Sequence, residues 1–409
     1  MRFGRAGRLG RPLALLLLLG VLTGPATAQG LTVWTTYQGP ALAWLRSEAT
    51  SYQQAFGKPV KVVARKLGEI KQGAMTEASK GGAADVFVGV PQDQFSALAD
   101  AGILADVGSF ATARYLSELS DQAQRAFRYH GTLYGLPLSV QGPALIVNTD
   151  LVPHMPSSYP DLVALARSLT GDGHYGFAFD IANFYYSYAW FHTFGGAVFG
   201  RTAGGEIDPG QVELAGAAAV AGAHALKALR FDDALVPEGS DYASLRKLFL
   251  EGNLAMTFDG PWAIPAIRAA GVPVAVAPMP PLADGTPFSG FMNVDGVLLN
   301  HYSPDPVGAA NLAKWLTTAD AQAALARRAG LVPASNVALS KVQDNAVIAG
   351  FGAALADAQA IPNAPAMGAV WGPMDRALAS ILASQDSDVT ASLREAVKSI
   401  TGAAPSGTP

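Results

Sequence analysis

The segment EGNLAMTFDGPW, residues 251–262, carries the clearest structural signal in this 409-residue chain. Gly252 suits the left-handed position after a helix, and the apolar run 254–258 predicts a short buried strand. Pro261 fits the first turn of a new helix, where its missing N–H leaves no hydrogen bond unmade. This arrangement places Trp262 at the carboxyl end of a strand, the edge at which open α/β sheets bind ligands. Simple burial of the indole in the core is the alternative.

The first 28 residues predict a secretory signal peptide. Four arginines at positions 2, 5, 8 and 11 precede a leucine-rich run, and Ala26-Thr27-Ala28 has the A-x-A pattern of a cleavage site. The apolar run is too short for a permanent membrane span, which takes about 20 residues. We therefore expect a protein that is soluble in the periplasm or outside the cell after cleavage near Ala28. An uncleaved membrane anchor is the alternative.

Charge and cysteine content limit the function classes. Removal of the four leader arginines lowers the net charge from −4 to −8, and no Lys/Arg-rich run remains. An acidic chain without a basic stripe lacks the electrostatic footprint of nucleic-acid binding, so we expect no nucleic-acid partner. The chain has no cysteine. This excludes thiolate catalysis, cysteine-zinc sites and a lipid-modified N-terminal cysteine.

Strand and helix signals alternate at the start of the mature chain. Strand candidates at 31–34, 60–63 and 85–90 are separated by helical patterns that end near Phe56 and Ser79. This order predicts a parallel sheet covered by helices on both faces.

Two Gly/Pro-bearing joints predict that the chain passes between two lobes. The first joint, 139–143, precedes a strand at 144–148, and the second, 278–291, precedes a strand at 294–299 and a helix capped at Ser303. Two crossings imply two discontinuous α/β lobes, a cleft between them and hinge motion. We predict a signal peptide at residues 1–28 and a flexible tail at 402–409. The N-terminal lobe is predicted to comprise 29–140 plus 292–340, and the C-terminal lobe 141–291 plus 341–401.

Aromatic residues form the main candidate binding surface. A dense cluster occupies 184–190, Trp262 follows a strand, and Trp371 lies near the C-terminus. Sugars present flat C–H faces and a rim of hydroxyls, so a sugar site needs aromatic walls with a few polar groups at the edge. Three rings of the cluster have the spacing of residues that pack within a helix: Tyr186, Tyr188 and Trp190.

Several segments, in this order, resemble the maltose/maltodextrin-binding family of solute-binding proteins that serve ABC importers. They are Leu31–Trp34, Asp85–Phe87, Tyr134–Pro137 with Ala144–Asn148, Phe258–Trp262, and Ile361–Pro365 before Trp371. The resemblance covers nearly the whole mature chain. It implies a periplasmic-binding-protein fold, no enzymatic activity and no cofactor. The implied ligand is maltose, a maltodextrin or a related α-glucoside such as trehalose, delivered by a monomer to membrane permease subunits.

The resemblance also implies which residues bind the sugar. Rings that stack on the sugar in the C-terminal lobe match Tyr185, Trp262 and Trp371. Hydroxyl-binding positions of the N-terminal lobe match Gln38, Asp93 and Gln141, and further polar positions match Gln94 and Asn183.

The chain departs from the best-known maltose binders in its polar positions. Gln38-Gly39 replaces an acidic-basic pair, Gln141 replaces a carboxylate, and Gln94 replaces an arginine. No tryptophan follows Asp85–Phe87. A less charged N-terminal half-site leaves the linkage and the length of the sugar open, while the stacking surface is retained.

A ferric-ion-binding protein of the same fold is one alternative, because adjacent tyrosines such as Tyr185-Tyr186 can bind iron as phenolates. Such a site also needs carboxylate or histidine donors, and the six histidines are scattered without metal-ligand spacing. We therefore assign no metal ligands.

A secreted glycoside hydrolase is the other alternative. Hydrolysis needs two carboxyl groups about 5 to 9 Å apart across a cleft, and the candidates are Asp93, Glu251 and Asp259. The S-x-x-K pattern at Ser244 and Lys247 lacks its partner motifs and has the spacing of a solvated helix face. We assign no catalytic residue.

Overall fold

The computed structural model describes residues 30–403, which form two large mixed sheets, two short two-stranded sheets and the helices around them. The strands, in chain order, are β1 Leu31–Thr35, β2 Val60–Ala64, β3 Val86–Pro91, β4 Arg128–Tyr129, β5 Thr132–Leu133, β6 Gly135–Gln141, β7 Ala144–Asn148, β8 Tyr175–Phe177, β9 Phe199–Arg201, β10 Ile207–Val212, β11 Leu254–Asp259, β12 Val274–Ala277, β13 Phe291–Leu299, β14 Val332–Pro333 and β15 Gln359–Ala360. The predicted signal peptide, 1–28, lies outside the described residues.

The α-helices, in chain order, are α1 Gly39–Phe56, α2 Leu67–Glu77, α3 Ser96–Asp100, α4 Ala113–Leu116, α5 Asp121–Ala126, α6 Tyr159–Ser168, α7 Phe184–Thr193, α8 Ala217–Phe231, α9 Tyr242–Leu250, α10 Ile264–Ala269, α11 Pro306–Leu316, α12 Ala319–Ala329, α13 Asn336–Ser340, α14 Ala346–Ala354, α15 Trp371–Ile381 and α16 Val389–Ala403. Short 3-10 helices occupy Ala78–Lys80, Gln92–Gln94, Val107–Ser109, Pro261–Ala263 and Pro365–Ala369. Within residues 30–403, no helix combines the length and the apolar character that a bilayer crossing requires.

The larger sheet and its helices are called the N-terminal lobe below. Its main strand order is β14-β6-β13-β3-β1-β2. β1 pairs in parallel with β2 and β3, as the alternation of strand and helix signals predicts. β13 runs antiparallel between β3 and β6. The parallel strands are apolar because helices cover both faces of the sheet.

The smaller sheet and its helices are called the C-terminal lobe. Its strand order is β12-β7-β11-β8. β11 lies in its interior, antiparallel to β7 and parallel to β8. All six residues of β11 are buried, which explains why its sequence is a short apolar run.

The predicted lobe ranges imply three passages of the chain between the lobes, two of them marked by Gly/Pro-bearing joints. The first joint was predicted over 139–143, but β6 continues to Gln141 and leaves only Gly142-Pro143 between β6 and β7. The second lies between β12 and β13, as predicted. The third passage, implied at 340/341 by the predicted ranges, lies between α13, which packs against β14, and α14, which packs against β12. β15 pairs with the start of β13, and its two residues are too few for a periodic signal, so this strand was not predicted.

Two helix ends also differ from the prediction. α11 is capped by Asp305, whose carboxylate accepts the Gly308 N–H, whereas Ser303 was expected to cap it. Ser303 instead donates its hydroxyl to Asp85. α16 continues to Ala403, past the predicted tail boundary at 402, and residues 404–409 lie outside the described range. The lobe boundaries themselves remain predictions.

Gly142 is required at the first crossing by close approach of other backbone. A Cβ built on Gly142 would lie 2.6 Å from the Phe291 carbonyl oxygen and 2.6 Å from Leu355 Cδ2. The carbonyl belongs to β13, so it cannot move without disturbing the sheet. The two crossings therefore pack directly against each other.

Substitution Gly142→Ala is expected to lower the free energy of unfolding by about 1–3 kcal/mol, since overpacking forces the neighbouring backbone to shift. Urea denaturation followed by circular dichroism measures this. Gly68→Ala is the matched control, because a Cβ on Gly68 meets nothing within 4 Å. Equal stabilities of the two variants would contradict the packing argument.

Candidate functional site

Four aromatic rings form a continuous run. Trp262 lies 6.0 Å from Tyr185, Tyr185 lies 6.4 Å from Phe291, and Phe291 lies 5.8 Å from Trp371, between ring centroids. The three predicted rings are partly exposed, whereas Phe291 is buried. The run therefore brings together all three predicted stacking residues, with Phe291 as the link that the sequence analysis did not identify.

Local sequence positions Trp262 as the segment 251–262 predicts. Gly252 adopts the left-handed conformation (φ 76°), β11 follows, and Pro261 begins a 3-10 helix. The Asp259 carboxylate accepts the Gly260 N–H at 2.7 Å and caps this turn. A Cβ on Gly260 would lie 2.2 Å from the Trp262 ring, so the indole folds back over a position that only glycine can occupy.

Tyr185 is held by the start of α7. The Asn183 side chain accepts the Tyr185 N–H at 3.1 Å, and Asp375 of α15 accepts the Phe184 N–H at 2.9 Å. Trp371 begins the same helix α15. The two ring-bearing helices are thus joined at their first turns by a hydrogen bond to backbone.

The rest of the aromatic cluster packs inside the C-terminal lobe, as its spacing predicts. The rings of Tyr186, Tyr188 and Trp190 are buried. The Tyr186 hydroxyl donates to Asp259 at 3.3 Å, and the Trp190 indole N–H donates to Tyr159 at 3.0 Å. The Tyr186 hydroxyl and the Trp190 indole N–H therefore have hydrogen-bond partners within the core and do not require a ligand as partner.

A cavity of about 310 Å³ opens on the N-terminal lobe. Gln38, at the N-cap of α1, and Gln141, at the end of β6, both contribute to its lining. Two residues that the sequence analysis did not identify also line it, Tyr37 and Asp295. The sequence feature that could have identified Asp295 is that it is the single acid within the apolar strand 294–299.

One face of β13 connects this cavity with the aromatic run. Successive strand residues alternate between faces, so Phe291, Asn293 and Asp295 lie on the same face. On β6, Gln141 and Ser139 stand opposite Asn293 and Asp295. The Gln141 amide donates to Asp295 Oδ2 at 2.9 Å. This face therefore changes from apolar to polar along its length.

Asp93 and Gln94 form a separate polar pair after β3. The Gln94 amide N–H donates to Asp93 Oδ2 at 2.6 Å, and its oxygen accepts from Lys71 at 3.1 Å. Both polar ends of the Gln94 amide are thus engaged within the protein. The same holds for Asn183, whose amide N–H also donates to Asp180 at 3.2 Å. Their predicted contacts with a ligand stay predictions, and both side chains have structural partners.

Burial sets the electrostatics of the site. It raises the pKa of Asp295 to about 7, with the Gln141 hydrogen bond opposing the shift and the Asp93 carboxylate adding to it. Burial also raises the pKa of Asp93 itself. It raises the pKa of the Tyr185 phenol, and the Asp259 carboxylate raises it further. Each of these groups is therefore biased toward its neutral form.

The Tyr185 hydroxyl is buried and makes no hydrogen bond of good geometry among residues 30–403, although the Asn293 side chain lies close enough to lower its pKa. Asp93, Asn293 and Asp295 of the N-terminal lobe lie close enough to influence its pKa. An unpaired buried hydroxyl costs about 1–3 kcal/mol. Its position at the contact between the lobes is consistent with a partner that the protein alone does not supply.

The candidates for hydrolysis do not meet in one cleft. Glu251 is exposed and lies 3.8 Å from Lys247 on the surface of α9. Asp259 is buried and caps a turn. Ser244 belongs to the capping box of α9, where it pairs with Asp241, as expected for an ordinary amphipathic helix.

The iron alternative lacks a donor set in the described part of the chain. No group of three or more His, Asp or Glu side chains there could hold a metal ion. Burial raises the pKa of both Tyr185 and Tyr186, which opposes phenolate formation.

Two lobes joined by three crossings, with aromatic rings and polar groups where they meet, define a two-lobed binding protein. The chain belongs to the bacterial extracellular solute-binding protein family, whose model matches residues 49–350. The family and the similar proteins are solute-binding proteins rather than enzymes, so the hydrolase alternative is not supported. The iron alternative has no support among these similar proteins either.

Known relatives and solved structures agree with this assignment. A maltotriose-binding protein of Pyrococcus abyssi (strain GE5 / Orsay) is 26% identical over 369 residues, covering 86% of this chain and 77% of that protein. The structure of Thermus thermophilus maltotriose binding protein bound with maltotriose is 36% identical, with a TM-score of 0.76 and coverage of 92% and 100%. A cyclo/maltodextrin-binding protein complexed with maltotetraose is 29% identical, with a TM-score of 0.86 and coverage of 93% and 98%. The predicted periplasmic-binding-protein fold is confirmed.

Substitution Asn183→Ala is expected to lower the free energy of unfolding by about 0.5–2 kcal/mol, since it removes the N-cap of α7. Urea denaturation measures the loss. Asn183→Ser retains a capping oxygen and should recover most of it. An Asn183→Ala variant as stable as the parent would show that the cap contributes nothing.

Proposed function

We propose that the protein captures maltose, maltotriose, a longer maltodextrin or a related α-glucoside between its lobes and delivers it to the permease of an ABC importer. The observation that carries the proposal is the run of rings from Trp262 to Trp371 beside a polar face of the N-terminal lobe. Flat apolar walls with a few polar groups suit a sugar ring. The names of the relatives, which are maltotriose and maltodextrin binders, support the same ligand class.

Binding begins with stacking on the C-terminal lobe. Trp262 and Trp371 are partly exposed. Trp262 lies in a 3-10 helix and Trp371 begins α15, so little order has to be created when a sugar binds. Tyr185 lies between them and offers its unpaired hydroxyl to a sugar hydroxyl. A ligand with an apolar face and a polar rim can both stack on the rings and hydrogen-bond the Tyr185 hydroxyl.

Closure then brings the polar groups of the N-terminal lobe to the sugar. The lobes rotate about the three crossings, whose backbone angles absorb the change. Gln38, Gln141 and Asp93 complete the hydrogen bonds. Because an unpaired buried hydroxyl costs about 1–3 kcal/mol, discrimination among sugars resides in this polar half.

The site is not charged in the manner of a phosphate site. Neither Gln38 nor Gln141 carries a charge, and the pKa of the nearby Asp295 is raised by burial to about 7. Neutral donors and acceptors suit uncharged hydroxyls. We further propose that the protein acts as a monomer in the periplasm or outside the cell, after cleavage of residues 1–28.

A thermal-shift panel of mono- and oligosaccharides tests the function. A ligand that binds only the folded state raises the melting temperature once its concentration exceeds the dissociation constant. α-Linked glucose oligosaccharides should raise it, whereas sugars without this linkage should not. A panel in which no sugar shifts the melting temperature would exclude the proposal.

Trp262→Ala is expected to weaken all bound sugars together, by about tenfold or more, because the ring supplies contact area and not selectivity. Isothermal titration calorimetry with the sugars found in the panel measures this. Trp315→Phe is the control, since Trp315 packs against Tyr52 and Phe56, away from the site. Unchanged affinity in Trp262→Ala would contradict the stacking assignment.

Gln141→Ala is expected to change the ranking of the sugars. The substitution removes an amide that donates to Asp295 and leaves a sugar hydroxyl unpaired for some ligands but not others. The same calorimetric panel gives the ranking. A uniform weakening of every sugar would place the discrimination elsewhere.

A further inference from the structure

Asp295 is the one acid on β13, and its surroundings are unusual for a carboxyl group. The side chain is 7% exposed, and apart from Asn293 no other residue of the strand is polar. It takes part in none of the ion pairs found within residues 30–403. A buried acid without a cation is costly, so packing alone does not account for this residue.

The backbone directs Asp295 toward the cavity. A register shift in the pairing of β13 with β6 follows directly after it, between Asp295 and Gly296. Bulges of this kind re-aim side chains and occur next to functional sites. Asp295 thereby joins Gln38 and Gln141 in the lining of the 310 Å³ cavity.

Asp295 also continues the face that carries the aromatic run. Phe291 and Asn293 precede it at two-residue intervals, and Tyr185 of the opposite lobe lies over this face. A sugar stacked on Tyr185 would therefore meet Asp295 at its polar rim.

We propose that Asp295 is a further sugar-binding residue, which hydrogen-bonds a sugar hydroxyl from the N-terminal lobe and makes the affinity depend on pH. This inference rests on the proposed function. A carboxylic acid can donate through its O–H and accept through its carbonyl oxygen, whereas a carboxylate can only accept. A sugar hydroxyl that already donates its hydrogen to another group can pair with Asp295 only if the acid is protonated and donates its own O–H.

The groups facing Asp295 act in both directions: burial and the Asp93 carboxylate raise its pKa and favour the protonated acid, whereas the hydrogen bonds from Gln141 and Ser139 lower it. Asp93, beyond the end of β3, is an acid, and Tyr37 and Tyr185 are phenols whose pKa values burial raises. Ser139 and Gln141 of β6 are uncharged. Burial and Asp93 bring the pKa of Asp295 to about 7.

The sign of the effect follows from linkage. If the sugar binds the protonated acid better, the bound form has the higher pKa, and affinity falls as pH rises above the pKa of the free protein. The loss approaches about tenfold per pH unit until the pKa of the complex is reached.

The experiment is calorimetric titration of the purified protein with maltotriose between pH 5.5 and 8.5. The parent should lose about tenfold or more in affinity between pH 6.5 and 8.5. Asp295→Asn should bind with nearly constant affinity over this range, because its amide donates and accepts at every pH. Asp295→Leu should bind weakly throughout.

Asp85→Asn is the matched control. Asp85 is equally buried, at 7% exposure, and lies beside Asn300 just beyond the other end of β13, where it accepts from Thr32 and Ser303. This variant should retain the pH profile of the parent, even if it is less stable.

The possible failures are distinguishable. Sugar binding with a flat pH profile in the parent, or with the same slope in Asp295→Asn, overturns the role of Asp295 and leaves the proposed function intact. Absence of binding to maltotriose and every other sugar of the panel at all pH values overturns both.

Discussion

The pairing of β13 with β3 and β6 is the constraint on which the rest of the structure depends. This strand begins at the contact between the lobes, where β15 lies beside it, and continues into the middle of the larger sheet. Its side chains supply a buried ring, an amide and an acid on one face. A shift of one residue in its register would turn that entire face toward the opposite side of the sheet. Ladder hydrogen bonds to two neighbours prevent such a shift.

The proposed site divides two tasks between the lobes. In that proposal, the rings of the C-terminal lobe supply stacking area for any sugar, and the amides and acids of the N-terminal lobe supply directional hydrogen bonds. The rings are held by turns and helix starts, through Gly260 and Asp375. Gln141 and Asp295 are held by strands, whereas Gln38 and Asp93 lie at or in short segments that follow strands. In the proposed mechanism neither half is a complete site, so the ligand links binding to closure of the lobes.

Sequence patterns predicted the elements that have a strong local signal. The strand before Trp262, its turn and the alternation that produces a parallel sheet are all present in the structure. Elements without such a signal were missed or misplaced. β15 has only two residues, and Ser303 has the chemistry of a cap although Asp305 performs it. The ligand-binding roles of Asn183 and Gln94 stay predictions. Their partners Asp180 and Asp93 are near in the chain, whereas the contact of Gln94 with Lys71 depends on the fold.

The sequence by itself determined the class of fold, the position of Trp262 and the family resemblance, because each depends on residues close together in the chain. Only the tertiary structure decided that Phe291 links the rings and that Asp295 faces a cavity. Both facts depend on which strands pair with β13 and in what register. Burial of Asp295 beside another acid, and hence its raised pKa, arises from segments about 200 residues apart. Long-range pairing of this kind leaves no periodic trace in the sequence, because the period of a strand shows which residues share a face but not what that face meets.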